Sequence, residues 1–211
     1  MKHLTFLLFI GLSVSMMTSC QNAPKGEKVA AETAKKVTPV AAAKTYKVDG
    51  GYSQVMWSGS KLAGTHTGTL NVSSGTVDVK AGQVVGGKLM IDMNSLACTD
   101  LEAGKGKEKL EGHLKSADFF DVANNPTSTF DITGVNNGTV TGNLTLNGVT
   151  KSISFPASID ISERGLTVAT NDFTINRTDF GMKYGSSTFI DGLKDKAIND
   201  NVGLKIKFRA M

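Results

Sequence analysis

From Tyr46 onward the chain alternates apolar and polar residues with a period of two. Ile153, Phe155, Ala157, Ile159 and Ile161 fall on one face, and Ser152, Ser154, Ser158 and Asp160 on the other. That is the pattern of a strand with one buried and one wet side. Leu204, Ile206 and Phe208 alternate with Lys205, Lys207 and Arg209 in the same way. Asn147-Gly148, between Leu144-Thr145-Leu146 and Val149, predicts a two-residue hairpin turn. Asn136-Asn137-Gly138 and Glu163-Arg164-Gly165 predict two further turns. Other strands are expected near 46–49, 53–59, 65–72, 76–80, 84–93, 127–135, 139–146 and 166–175. Between Val168 and Phe173 the apolar parity flips, which predicts a bulge or a change of face. Many short strands joined by tight turns make an all-β domain, either a closed antiparallel barrel or a sandwich. Spacing alone does not choose between the two.

One segment breaks the pattern. Thr99 to Phe120 carries Leu101, Leu110, Leu114 and Phe119-Phe120 among charges, interrupted by Gly104, Gly106 and Gly112. It reads as a long loop with one or two short helical turns, of a length often reserved for a lid over a cavity.

The amino terminus has a different texture. Lys2 and His3 precede an apolar run from Leu4 to Leu12, and Thr18-Ser19 lead into Cys20. The run has the length of an export signal and is too short to span a membrane. Ending in small residues and a cysteine, it resembles a bacterial lipobox, with Met17 where leucine is usual. Residues 1–19 are therefore expected to be a lipoprotein signal peptide. Cys20 is then the acylated first mature residue, and the protein is lipid-anchored in the cell envelope facing the periplasm. The alternative is a secreted, soluble protein cut near Cys20. Residues 20–45 are rich in Ala, Lys, Thr, Pro and Glu without an aromatic residue, and are expected to form a flexible tether. Residues 46–211 form the folded domain.

Charge and cysteines narrow the chemistry. The formal charge is +4, and the excess is spread along the chain rather than blocked, which gives no argument for nucleic acid. With two cysteines in all, a thioether at Cys20 leaves Cys98 alone, so no disulfide is expected and Cys98 reads as a small buried filler. His66 and His113 are the histidines that remain after the signal, with no clustered cysteine, so neither a metal site nor a cofactor is expected. No Gly-x-Ser-x-Gly motif and no clustered carboxylates are present, and no catalytic residue is assigned.

Four stretches then fall in a familiar order: His113-Leu114-Lys115-Ser116-Ala117-Asp118-Phe119-Phe120-Asp121, Pro126-Thr127-Ser128-Thr129-Phe130, Gly142 to Lys151, and Asn176-Arg177-Thr178-Asp179-Phe180-Gly181-Met182. Together they resemble the YceI-like family of exported bacterial proteins, from about Tyr46 to Phe208. The resemblance implies a lipocalin-like, eight-stranded antiparallel β-barrel that binds polyisoprenoid chains such as isoprenoid quinones or prenyl phosphates. Such a barrel is just wide enough to fill itself with side chains or to hold one slim ligand. The expected apolar lining is Trp57, Leu89, Ile91, Leu144, Ile153, Phe155, Phe173, Phe180 and Phe189. His113, Arg177 and Asp179 are candidate polar or head-group contacts; Arg177 and Asp179, two apart on an extended segment, are expected to face the same side. Family members commonly carry Arg-Asp shortly before the His of the His-Leu motif, where this chain has Leu110 and Glu111, and Asp100 to Lys109 looks lengthened at the rim. The expected partners are an isoprenoid lipid and a membrane, with a homodimer compatible. Two rivals stand beside a lipid carrier: an enzyme acting on an isoprenoid lipid, and a solidly packed structural envelope module.

Overall fold

A computed structural model describes residues 23–211. The expected signal peptide and Cys20 lie outside the described residues. Among the described residues, twelve strands follow in chain order: β1 (Glu27–Lys28), β2 (Glu32–Thr33), β3 (Lys44–Lys47), β4 (Gln54–Lys61), β5 (Gly64–Lys80), β6 (Gln83–Cys98), β7 (Thr127–Asn136), β8 (Thr139–Leu146), β9 (Val149–Ser162), β10 (Gly165–Thr170), β11 (Phe173–Asn176) and β12 (Asn201–Ala210). β4 through β10 pair with their sequence neighbours, β10 pairs with β12, and β12 pairs back onto β4, with Leu204 opposite Trp57. The sheet therefore closes. Two barrel strands are interrupted: a 3-10 turn at Gly50–Tyr52 separates β3 from β4, and Asn171-Asp172 separate β10 from β11. With β1 and β2 outside the closed barrel, counting each interrupted pair once gives an eight-stranded antiparallel barrel, which removes every edge but the local ones.

The hairpins are built as the turn residues require. Asn137, Gly138, Asn147 and Gly148 all have positive φ, at 46°, 74°, 50° and 73°, the pairing a right-twisted two-residue hairpin demands. The long irregular segment holds one helix, α1 (Lys107–Lys115), which lies beside the end of β6.

The parity flip near Val168 to Phe173 is a break, and it has a consequence. β10 covers β9 only from Ala157 to Ser162, while β11 stays with β12. A seam is left between β11 and the first half of β9. Residues 23–36 lie in that seam: β1 runs parallel to β11, with Glu27 opposite Phe173, and β2 runs antiparallel to β9, with Glu32 opposite Ser152. Val29 is 5% exposed and joins the barrel core, its N–H donating to the Thr174 carbonyl at 2.8 Å. Lys35 exchanges two hydrogen bonds with the Asn143 side chain, at 2.8 and 2.7 Å. Gly26, at φ +124°, lies where a Cβ would sit 2.4 Å from the Asp172 carbonyl, so only glycine passes there.

This part of the expected tether is thus a strap. Its composition supplies too little apolar surface for a core of its own, but it borrows one, and its backbone pairs with edges that the broken strand leaves vacant. Val29→Ala should lower unfolding free energy by about 2 kcal/mol, the loss of two buried carbons plus the space they leave. Urea denaturation measures it, and an unchanged midpoint would mean that the strap is not docked.

Candidate functional site: an apolar cavity with a polar mouth

The barrel is not solidly packed. A cavity of about 580 Å³ occupies its interior, within the range of about 300–1,000 Å³ typical of small-molecule sites. Inward-facing aliphatic residues of β5 to β9 line it, among them Leu70, Val72, Leu89, Ile91, Val140, Leu144 and Ile153. Phe155 stacks on Phe173 with ring centroids 4.7 Å apart, and Phe130 tilts against Phe155 at 5.5 Å. At the opposite end from α1, Tyr46 is buried and its hydroxyl donates to the Ser162 carbonyl at 3.3 Å.

The polar lining gathers at the other end, where β4 and β6 finish and β12 starts. Lys61, His66, His113, Tyr184, Lys196 and Asn199 stand there. His113, on α1, contacts the edges of Phe119 at 5.0 Å and Tyr184 at 4.8 Å, and its Nε2 lies 3.2 Å from Asp118. Leu110 and Leu114 of α1 reach the cavity. Glu111 Oε1 accepts the Cys98 backbone N–H at 2.7 Å. Leu110 and Glu111 therefore add apolar lining and fasten the helix across the mouth.

Arg177 lines the cavity but is held by the protein through four hydrogen bonds. It is 2% exposed, and its guanidinium donates to the carbonyls of Met182, Ile198 and Asn199 and to Asp200 Oδ1 at 3.1 Å. Burial pulls its pKa below the ordinary arginine value, and the facing Asp200 opposes that shift.

The extended geometry expected for 177–179 is not found. Arg177–Phe180 is a 3-10 turn capped by Asn176, which turns Asp179 to solvent. Arg177 takes its carboxylate from Asp200 instead.

Seven of the nine expected lining residues, Trp57, Leu89, Ile91, Leu144, Ile153, Phe155 and Phe173, do line the cavity. Phe180 is completely buried but outside the lining, and Phe189 is 50% exposed beneath the Lys183 ammonium.

The second finding that spacing did not anticipate is a cluster at the mouth. Gly68 pairs with Cys98 across β5 and β6, and His66 stands two residues from Gly68 on the same face. Asp100, just past the strand, turns back so that its Oδ2 lies 2.8 Å from His66 Nδ1, while its Oδ1 accepts from Cys98 Sγ at 3.1 Å and from the Thr67 N–H at 2.8 Å. The expectation that no cysteine clusters with a histidine is thus corrected.

Burial acts to raise Asp100, but hydrogen bonds with the Thr67 N–H, Cys98, His66 and its own backbone N–H outweigh that and hold it at about 2. Burial, and then the bond to Asp100, push the Cys98 thiol up. A thiol held protonated is the reverse of an activated nucleophile.

Comparison with known proteins places this architecture. A UPF0312 protein of Pseudomonas putida is 30% identical over 179 residues, covering 74% of this chain and 90% of its own. A UPF0312 protein of Pseudomonas aeruginosa is 41% identical over 76 residues, but the match spans only 36% of that protein. Among solved structures, Burkholderia cenocepacia BcnA superposes with a TM-score of 0.59 at 20% identity, over 78% of this chain and 99% of that one. A polyisoprenoid binding domain from Saccharophagus degradans gives 0.56 at 16% identity, over 78% and 97%. These two share the fold. A YceI-like domain model matches residues 46–210, the barrel from β3 to the end of β12, and the chain therefore belongs to the YceI-like family.

Proposed function

We propose that this protein holds the tail of a polyisoprenoid lipid in the barrel and carries or sequesters it in the cell envelope. The observation that carries the reading is the cavity of about 580 Å³, walled by aliphatic and aromatic side chains and polar at one end only. An unbranched polar substrate would leave its hydrogen-bonding groups unmet in such a space. An isoprenoid tail gains about 0.8 kcal/mol for each buried methylene-sized unit. The Saccharophagus degradans neighbour, described as a polyisoprenoid binding domain, supports the same ligand class. Native mass spectrometry of protein purified from its own host should show a retained mass that matches an isoprenoid lipid and is lost on organic extraction. A water-soluble co-purifying metabolite would overturn the reading.

The anchor belongs to this proposal. Pro24 lies against Gly203 of β12, and four residues of chain reach at most about 14 Å. Acylation at Cys20 therefore keeps the barrel close to the bilayer surface, where a lipid tail need cross little water. Cys20→Ala should move the protein from the membrane fraction to the soluble one, since stable attachment needs two or more acyl chains. Unchanged membrane association of the variant would remove Cys20 as the anchor.

A further inference from the structure

We propose that His66, Cys98 and Asp100 form a binding site for a zinc-like divalent cation at the mouth of the cavity. Their donor atoms, one imidazole nitrogen, one sulfur and one carboxylate oxygen, all lie within 4.8 Å of one another. Bonds of about 2.0–2.3 Å to zinc place tetrahedral donors about 3.3–3.7 Å apart. Three side chains already this close need only small rotations to share one ion.

The donor set selects the ion. A thiolate and an imidazole with a single carboxylate suit zinc and its neighbours, and not calcium or magnesium, which take oxygen ligands. The set is also oriented from behind. The Thr67 N–H fixes one oxygen of Asp100, and Glu111 holds the Cys98 backbone through its N–H, the kind of outer support that ligating residues carry. Cys98 and Asp100 are two residues apart, and the β5–β6 register brings His66 to them.

Binding changes the proton count in a defined way. The Cys98 S–H bond, now donated to Asp100, breaks, its proton passes to solvent, and a sulfur–metal bond forms. Three protein ligands leave a fourth position open. Water or an anionic oxygen would fill it, and His66 is the ligand of the three that also lines the cavity. The site stands independently of which lipid the barrel carries.

The test uses the full chain with Cys20→Ser, which leaves Cys98 as its one thiol. Cobalt(II) titration should saturate at one ion per chain with a thiolate-to-cobalt charge-transfer band and tetrahedral visible absorption, and zinc should displace it. Cys98→Ser should abolish the charge-transfer band. His66→Ala, at a half-exposed position, should weaken zinc binding at least tenfold while the β-sheet circular dichroism spectrum is kept, so the test does not depend on the buried cysteine tolerating substitution. A folded parent that gives no thiolate-to-cobalt band, or a His66→Ala variant that binds zinc as tightly as the parent, would overturn the site.

Discussion

Replacing Arg177 with methionine should lower unfolding free energy by about 3–5 kcal/mol, the cost of removing one partner from a buried ion pair. The guanidinium is the hub that ties the 182–200 segment to the end of β11. It satisfies three backbone carbonyls and Asp200 Oδ1. Asp200 in turn accepts Ser186 Oγ at 2.9 Å and Thr188 Oγ1 at 2.7 Å on its other oxygen. Without Arg177 one carboxylate oxygen and three carbonyls lose their donor in a region with little water. Lysine, a point charge with no planar fork, should recover only part of the loss. Equilibrium urea unfolding provides the number. A loss below about 1 kcal/mol, the range of exposed pairs, would mean that Arg177 is free to meet a ligand and is not structural.

Gly59→Phe should block ligand entry without harming the fold. Gly59 lines the cavity in β4, its φ lies outside the left-handed region, and a Cβ built there meets nothing within 4 Å. A larger residue in a strand is also favourable to the backbone. The phenyl ring displaces about one five-carbon isoprene unit, whose burial is worth about 4 kcal/mol. Affinity for a tail that fills the cavity should fall by about two to three orders of magnitude. The melting temperature should stay level or rise. Unchanged affinity in the folded variant would place the ligand outside the barrel.

The parts of this protein that the sequence makes legible are those in which one local pattern decides the outcome. β9 and β12 show their two faces residue by residue, because each has one side in the core and one in water. Asn147-Gly148 marks its hairpin because both turn residues must take positive φ. Long-range placement is where local reading fails. The strap between residues 23 and 36 has no periodicity of its own, since it is stabilised by strand edges more than a hundred residues away. Arg177 finds Asp200 and not Asp179 because β12 closes the barrel beside it. Phe180 and Phe189 have the right chemistry for the cavity, yet a 3-10 turn buries one beside it and an irregular loop leaves the other in solvent. His66 and Cys98 are brought to one point by strand register. No local signal points to the pair, because the buried parity of β6 flips between Met93 and Leu96 and puts Cys98 off the Leu89-Ile91-Met93 register.

The account stands or falls on the cavity holding a tail. The most direct measurement is a titration of the delipidated protein with isoprenoids of increasing length that carry one common head group, alongside Gly59→Phe. Affinity should climb with each unit until about 580 Å³ is filled and then level off, and the variant should level off earlier and weaker. An affinity that follows the head group and ignores tail length, with the variant equal to the parent, would contradict the account.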